Sequence, residues 1–383
     1  MRPLFVTGSL VHGGAERHTI TLANRLAERG HDCHVVYVKN DPSQLERLRG
    51  AASVRCLHAR RYFDFARVRE FAAHVAALRP SVVLAANPYA LMYSSLALYG
   101  AGVPAPLAVT FHTTLAQGAK EHLKMLYYRL FFWGADCAVF VSERQRRHWR
   151  RRQVFARRNE VIHNGVDLEQ WKPLSADARA ALRNVLGFKE TELVVAMCAV
   201  LRPEKNPVQL VDALALARSR GVPARALFIG DGPMRAAVEA RARSLGLEQE
   251  VRITGLLQDV RPFVAAADAL ALPSRTEALS LAAIEAMALG RPVVHADVGG
   301  GAELVEHGRN GFLFPPGDTA ALAERLARLA DPAARRRMGE RARATVEERF
   351  TERAMVERYE QVLLELEAAR SKRENLRRPA RAH

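Results

Sequence analysis

Short apolar runs alternate with segments whose apolar residues recur at helical spacing. Near the start, residues 4–7 predict a strand, residues 15–29 predict a helix that ends at Gly30, and residues 33–38 predict a second strand. Strand, helix and strand in this order form a βαβ unit, which predicts a parallel sheet.

The same alternation starts again after residue 192. The predicted strands of the first half are 82–85, 107–111, 137–141 and 160–162 in addition to the first two. The second half has predicted strands at 193–200, 225–229, 251–254, 269–272 and 292–296, and helices at 206–220, 233–245, 260–267 and 281–289. We therefore predict an α/β fold with two doubly wound, Rossmann-like domains, 1–170 and 171–350. An amphipathic helix at 351–369 and a basic, disordered tail at 370–383 are expected to follow.

Ligands of such sheets bind at the carboxyl ends of the strands, so we expect a cleft between the two domains to hold the site. Composition agrees with a globular protein, because 49% of the residues are hydrophobic and 26% are charged. The four Cys are far apart and form no CxxC pair, which predicts reduced thiols and no zinc site. The chain opens on a predicted strand, so we expect no secretory signal and a cytoplasmic location.

Charge is unevenly distributed along the chain. The net charge is +16, with 25 Lys/Arg against 13 Asp/Glu in residues 1–172 but 26 against 27 in residues 173–369. This asymmetry favours an anionic partner for the first half. A cluster containing Arg150, Arg151 and Arg152, with Trp149 and Phe155 beside it, predicts an interfacial membrane surface. A solvated charged helix is the alternative, and nucleic acid is a lesser one because no known nucleic-acid motif accompanies the cluster.

Two loops have residues suited to phosphate. Gly13 and Gly14 precede a predicted helix, whose N-terminal amides favour an anion, although a tight turn alone explains them equally well. Arg202 and Lys205 follow the first strand of the second half, where a forked cation and a point charge suit a diphosphate. A solvated basic loop is the alternative there.

Two carboxylates stand out in the second half. Glu285 is the sole charged residue of an apolar helix, and a buried carboxylate needs hydrogen-bond partners. Glu277 lies eight positions earlier, in the loop that enters this helix. The spacing lets Glu277 face the cleft while Glu285 points in from the helix. A structural role for Glu285 alone leaves Glu277 unexplained.

Together these segments resemble the retaining glycosyltransferases of family 4, which have the two-domain GT-B fold. The resemblance covers nearly the whole chain. It rests on the segments 13–16 (GGAE), 164–167 (NGVD), 202–205 (RPEK), 230–233 (GDGP), the Glu277/Glu285 pair and 311–313 (GFL). It implies that the first domain binds the acceptor, that the second binds a nucleotide sugar, and that the C-terminal helix crosses back to the first domain.

The resemblance also implies roles for individual residues. Lys205 contacts the donor diphosphate with Gly14 beside it, Glu285 binds the ribose, and Glu277 approaches the transferred sugar. His112 matches the family's cleft histidine, although a lone histidine is more often a satisfied core or turn residue. The backbone amides after Glu277 are expected to hold sugar hydroxyls; they belong to Ala278, Leu279 and Ser280.

The chain departs from the family pattern at two positions. Val200 stands where many members have Arg, so Arg202 is expected to take over that contact. Ala278 replaces a common Gly, which is expected to narrow the sugar pocket. No two Asp are spaced as DxD, so no metal site is expected.

We therefore expect a metal-independent, retaining glycosyltransferase without a cofactor, which uses a UDP-sugar in preference to a GDP-sugar. The expected acceptor is a lipid-linked or cell-envelope glycan at the cytosolic face of the membrane. No nucleic acid is expected as partner. The alternative is a catalytically inactive GT-B scaffold or a nucleic-acid-binding protein. Among enzymes, the alternative is an epimerase or a phosphorylase of the same fold. A phosphorylase would need a pyridoxal-binding Lys, which no segment suggests.

Overall fold

The chain divides into two compact units in the computed structural model, which describes residues 1–11, 13–112 and 118–377. Unit 1 comprises Met1–His163 and Met355–His383, and unit 2 comprises Asn164–Ala354. His12 of the glycine-rich turn and residues 378–383 of the predicted tail lie outside the described residues.

Unit 1 contains a seven-stranded parallel sheet in the order β3-β2-β1-β4-β5-β6-β7. Its strands are β1 (Pro3–Thr7), β2 (His34–Tyr37), β3 (Ser53–Cys56), β4 (Val82–Ala86), β5 (Leu107–Phe111), β6 (Cys137–Phe140) and β7 (Arg158–Val161). The helices between them are α1 (Gly14–Glu28), α2 (Phe65–Leu78), α3 (Asn87–Ala101), α4 (Gly118–Gly134) and α5 (Glu143–Arg151).

Unit 2 contains a six-stranded parallel sheet in the order β10-β9-β8-β11-β12-β13. Its strands are β8 (Leu193–Cys198), β9 (Ala224–Ile229), β10 (Val251–Ile253), β11 (Ala269–Leu272), β12 (Val293–Ala296) and β13 (Gly311–Phe314). Its helices are α6 (Ala176–Val185), α7 (Pro207–Ser219), α8 (Arg235–Ser244), α9 (Arg261–Ala266), α10 (Leu281–Ala288), α11 (Gly301–Leu304), α12 (Thr319–Arg328) and α13 (Pro332–Arg349).

Helices cover both faces of each sheet, which is why the central strands are apolar runs without alternation. In β1, Leu4 and Val6 pack into one core with α2 and α3, whereas Phe5 packs on the opposite face with residues of α1. The strand order changes direction beside β1 in unit 1 and beside β8 in unit 2. Loops at the carboxyl ends of these strands are therefore the expected ligand-binding positions in each unit.

The last helix, α14 (Glu352–Arg377), packs on unit 1. Met355, Tyr359, Val362 and Leu366 recur at helical spacing and join the core that contains Phe5. The described part of this helix extends to Arg377, so the prediction of a disordered tail from residue 370 is wrong for residues 370–377. Among the described residues, no helix is both long enough and apolar enough to cross a bilayer.

Candidate functional site

The carboxyl edge of the unit 2 sheet brings together the two residues that the sequence singles out most strongly. Lys205 follows β8 and Glu277 follows β11, and the Lys205 Nζ donates to the Glu277 Oε1 at 2.5 Å. The Glu277 side chain is 9% exposed and that of Lys205 is 27% exposed. The result is a partly shielded ion pair at the expected edge of the sheet.

Neighbouring loops fix the position of the Glu277 carboxylate. Ser274 donates its hydroxyl to the same Oε1 at 2.9 Å. The loop after β12 lies directly on the Glu277 backbone, where a Cβ on Gly299 would overlap the Glu277 carbonyl. Gly299 also has φ +51°, so both its backbone conformation and the lack of room for a Cβ require glycine.

The loop that carries Lys205 is tied to the loop that carries Glu277. Residues Pro203–Lys205 form a single 3₁₀ turn, which ends at Asn206 in the left-handed region with φ 52° and ψ 48°. The backbone amide of Arg275 donates to the Glu204 carbonyl at 2.8 Å. Arg202 is exposed and lies 3.9 Å from the Glu204 carboxylate. The structure therefore brings Lys205 to Glu277 and leaves Arg202 at the margin.

The segment 278–280 leads from Glu277 into α10, which contains Glu285. Ser280 caps α10, because its Oγ accepts from the Ala283 amide at 3.3 Å, and Glu285 is buried one turn further on. Ala278 and Leu279 are buried, and the Leu279 carbonyl accepts from the Asn164 side-chain amide at 3.1 Å. The roles of these residues toward ribose and sugar stay predictions.

His295 is a neighbour of the ion pair that the sequence analysis did not identify. It is fully buried in β12, where burial lowers its pKa, and the charges of Glu277 and Lys205 act on it with opposite signs. Its Nδ1 lies 2.5 Å from the Ala296 carbonyl, and its Nε2 has no partner among the described residues. A histidine in an otherwise apolar strand was the available signal, as was Ser274 three positions before Glu277.

In unit 1, the predicted His112 follows β5 directly. Its backbone amide donates to the Asn87 Oδ1 at 2.9 Å, and burial lowers the pKa of its ring to about 4. His18 of α1 lies with its ring centroid 4.6 Å from that of His112, and Tyr359 of α14 lies 5.1 Å from His18. Gly14 is exposed at the start of α1. The predicted contacts of His112 and Gly14 with the donor stay predictions.

One residue of the predicted basic surface is buried in the structure. Arg150, Arg151 and Arg152 are exposed at the end of α5. Trp149, however, is only 1% exposed and packs against Phe111 with ring centroids 5.0 Å apart. The prediction that this aromatic ring belongs to a surface is wrong, because α5 turns its one tryptophan toward the core.

Other polar residues were considered as metal ligands or as a second charged site. Within the part of the chain that the structure describes, no three His, Cys, Asp or Glu residues are grouped so that they could hold a metal ion. Asp268 is buried among Arg179, Arg183 and Arg335, but it precedes β11 and so lies at the edge of the sheet opposite to Glu277. We assign this cluster a structural role.

Two family descriptions match consecutive parts of the chain. Residues 12–170 match "Glycosyltransferase Family 4", and residues 178–345 match "Glycosyl transferases group 1". The division agrees with the two sheets of the structure.

Curated relatives match parts of the chain. EpsD of Bacillus subtilis (strain 168), named as a glycosyltransferase, is 31% identical over 64% of this chain and 65% of its own length, so the match spans slightly less than two thirds of that relative. A Corynebacterium glutamicum protein is 28% identical over 68% of this chain and 74% of its own length. Its name is GDP-mannose-dependent monoacylated alpha-(1-6)-phosphatidylinositol monomannoside mannosyltransferase.

A solved structure matches nearly the whole chain. Anabaena Alr3699/HepE, in complex with UDP-glucose, superposes with a TM-score of 0.84 at 25% identity, covering 95% of this chain and 100% of HepE. The family matches, this structural likeness and the two parallel sheets show that the chain belongs to the family 4-type glycosyltransferases with the GT-B fold.

Proposed function

We propose that the chain transfers a sugar from a nucleotide-sugar donor, bound by unit 2, to an acceptor hydroxyl with retention of the anomeric configuration. The observation that carries this proposal is the shielded pair of Lys205 and Glu277 at the carboxyl edge of the sheet. Glu285, buried in the helix that follows, supports it as a second carboxylate close to Glu277 in the sequence.

Lys205 is suited to the donor diphosphate. A diphosphate carries more negative charge than one carboxylate, so the Lys205 ammonium can exchange Glu277 for a phosphate oxygen when the donor binds. Glu277 is then left beside the donor, where its oxygens accept hydrogen bonds from sugar hydroxyls. Arg202, exposed nearby, adds a second cation.

A UDP-sugar is the proposed donor. HepE, at 25% identity over nearly the whole chain, is described in complex with UDP and with UDP-glucose. The Corynebacterium glutamicum relative is named as GDP-mannose-dependent, so GDP is the nucleotide to compare with UDP in the donor screen.

The proposed reaction breaks the bond between the sugar C1 and the β-phosphate oxygen and forms a bond between C1 and the acceptor oxygen on the same face. The acceptor proton passes to the departing phosphate oxygen, so nucleoside diphosphate is the second product. Lys205 stabilises the charge that develops on this phosphate, with Arg202 assisting. Glu277 orients the sugar and does not act as the base, and no metal takes part.

The proposed acceptor is lipid-linked or a cell-envelope glycan. The resemblance to family 4 and the phosphatidylinositol monomannoside in the name of one relative support this choice. The basic, apolar surface described in the next subsection fits an acceptor held at a membrane.

A donor screen followed by product analysis tests the proposal. UDP and one UDP-hexose should raise the melting temperature more than GDP does, and RNA should not raise it. The transferred sugar should keep its α or β configuration by NMR, and activity should survive EDTA. An inverted product, or activity that EDTA abolishes and Mn²⁺ restores, would contradict the proposed chemistry. A shift with RNA alone would favour the nucleic-acid-binding alternative.

A further inference from the structure

The outer face of α4 is apolar and exposed. Five of its large side chains recur at helical spacing, and between 43% and 69% of each is accessible to solvent; they are Leu123, Leu126, Tyr127, Leu130 and Trp133. We call these five residues the α4 stripe. A surface helix of a globular protein ordinarily carries polar residues on this face.

The inner face of the same helix already supplies the contacts that folding needs. Met125, Tyr128 and Phe132 are buried in the core of unit 1. The helix is therefore apolar on both sides in its described part, and the α4 stripe contributes little to the core. Large exposed apolar patches of this kind mark interaction surfaces.

Arginines border the α4 stripe. Arg152 and Arg129 line one surface hollow together with Leu123 and Leu126. Arg150 and Arg151, exposed on the adjoining end of α5, pair with no carboxylate among the described residues. We call Arg150, Arg151 and Arg152 the basic rim.

The two features are joined physically. The Trp133 Nε1 donates to the Gln153 carbonyl at 3.0 Å, directly after the basic rim. Trp133 also packs on Phe155, an exposed ring, with centroids 6.4 Å apart. The stretch of sequence that contains both features, residues 123–158, carries ten Lys/Arg against two Asp/Glu and is therefore rich in positive charge.

We propose that the α4 stripe and the basic rim dock unit 1 on the surface of an anionic lipid bilayer. Leucine side chains enter the boundary between headgroups and acyl chains, Tyr and Trp lie at the headgroup level, and the arginines contact lipid phosphates. This proposal does not depend on the proposed sugar transfer.

The charge distribution favours lipid over a second copy of the chain. A twofold symmetric contact through the α4 stripe would bring two basic rims of the same sign together. An anionic bilayer satisfies the apolar and the positive parts of the surface at once.

Vesicle binding of the full chain tests the proposal, with Trp133 as reporter. Of the three Trp, Trp149 and Trp171 are buried and Trp133 is exposed. Vesicles of phosphatidylcholine and phosphatidylglycerol should cause a blue shift of the emission and co-sediment the protein, whereas phosphatidylcholine alone should do neither. The Trp133→Phe variant should still co-sediment but lose the shift.

Matched variants separate the two parts of the surface. Changing Arg150 and Arg151 to Ser should weaken vesicle partitioning about 30-fold. Changing Leu123, Leu126 and Leu130 to Ser should abolish the blue shift. The controls change exposed residues of the same kind elsewhere: Arg336 and Arg337 to Ser for the basic rim, and the two aliphatic residues Val185 and Leu256 to Ser for the α4 stripe. Circular dichroism should show all variants folded.

Three results would overturn the proposal. The first is a wild-type protein that ignores anionic vesicles at low salt. The second is control variants that lose binding as much as the surface variants do. The third is a stripe variant that changes the oligomeric state in light scattering and leaves vesicle binding intact, which would assign the α4 stripe to a contact between copies.

Discussion

Glu277 and Lys205 lie 72 positions apart in the sequence, and parallel strand order brings them to one edge of a sheet. Asn206 in the left-handed region ends the turn that presents the Lys205 ammonium. Ser274 adds a hydrogen bond to the Glu277 oxygen that accepts from Lys205. The carboxylate is therefore positioned from two sides before any donor arrives.

Replacing Glu277 with Gln should lower the kcat of sugar transfer about 100-fold. The amide keeps the shape of the side chain but loses the charged hydrogen-bond acceptor that orients the sugar. UDP affinity should not fall, because the substitution removes the carboxylate that competes for Lys205. Calorimetry and steady-state kinetics measure the two effects separately. Glu204→Gln, in the neighbouring loop, is the matched control and should change neither. Loss of UDP affinity in Glu277→Gln would contradict the assigned role.

His18 should make unit 1 sensitive to mild acid. It is fully buried, burial and then His112 lower its pKa, and neither of its ring nitrogens has a partner among the described residues. A lowered histidine pKa contributes stability above the ordinary value of 6.5, and this stability is lost as pH falls below it. At pH 5 the cost is at most about 2 kcal/mol, the value reached when His18 stays neutral in the folded state.

His18→Leu should therefore leave the melting temperature at pH 7.5 nearly unchanged and reduce its fall between pH 7.5 and 5 by about 4–8 °C. Scanning calorimetry measures this difference. Tyr359→Phe alters the other ring that contacts His18 but removes no group that titrates in this range, so it should keep the wild-type pH dependence. An unchanged pH dependence in His18→Leu would show that the histidine is hydrated or partnered in solution.

At the scale of elements, the Asp268 cluster fastens helices to the unit 2 sheet. Asp268 accepts from Arg179 of α6 at 2.7 Å, from Arg183 of α6 at 2.9 Å and from the Val194 amide of β8 at 2.8 Å. Arg335 of α13 lies 3.3 Å away. Burial alone would raise the pKa of Asp268, but Arg335, Arg183 and Arg179 hold it below its ordinary value.

Asp268→Asn should destabilise unit 2 by about 3–5 kcal/mol, because Arg183 loses its counter-ion while it remains buried. The melting temperature should fall on the order of 10 °C. Asp259→Asn breaks an exposed pair with Arg261 and should cost at most about 1 kcal/mol. The difference between wild type and Asp268→Asn should shrink as the pH falls from about 4 toward the depressed pKa of the Asp268 carboxyl. Equal effects of the two substitutions would contradict the structural role.

Strands that are buried on both faces were predictable from the sequence, and so were two of the four edge strands, β7 and β10, which were expected at 160–162 and 251–254. The expected strands 107–111 and 269–272 have these bounds in the structure. A short apolar run bounded by turn residues on both sides is typical of a buried strand. The edge strands β3 and β13 were missed. In β3, Val54 and Arg55 are exposed and the two end residues are only partly buried. The segment therefore lacks the apolar run that predicts a buried strand.

The site was predictable as a set of residues but not as a set of contacts. Sequence spacing placed Glu277 and Lys205 after strands, but it could not show that the two form an ion pair. The burial of Trp149 was missed because the inward face of α5 also carries a polar residue, Gln145. The Gln145 side chain is buried and forms hydrogen bonds with the backbone of Val141 and Phe111. A tryptophan four positions after a buried residue on a basic helix points to the core.

At the scale of the whole molecule, positive charge and proposed chemistry belong to different parts of the chain. Residues 1–172 hold most of the net charge of +16, whereas residues 173–369, which contain Lys205, Glu277 and Glu285, are nearly neutral. We therefore propose that unit 1 provides the attraction to an anionic surface and that unit 2 recognises the donor. Added salt should weaken vesicle binding far more than UDP binding, since exposed charges are screened beyond about 10 Å at 0.1 M salt.

The proposed function requires that unit 2 bind a nucleoside diphosphate through Lys205. Calorimetric titration of UDP in EDTA, into the wild-type protein and into Lys205→Ala, measures this contact without the complication of an acceptor. We predict that the wild type binds UDP without metal and that Lys205→Ala binds it about 10- to 100-fold more weakly, since a charge-assisted contact contributes about 1.5–3 kcal/mol. Arg202→Ala should lose less. Equal affinity of wild type and Lys205→Ala, or no binding of either UDP or GDP by the wild type, would contradict the account.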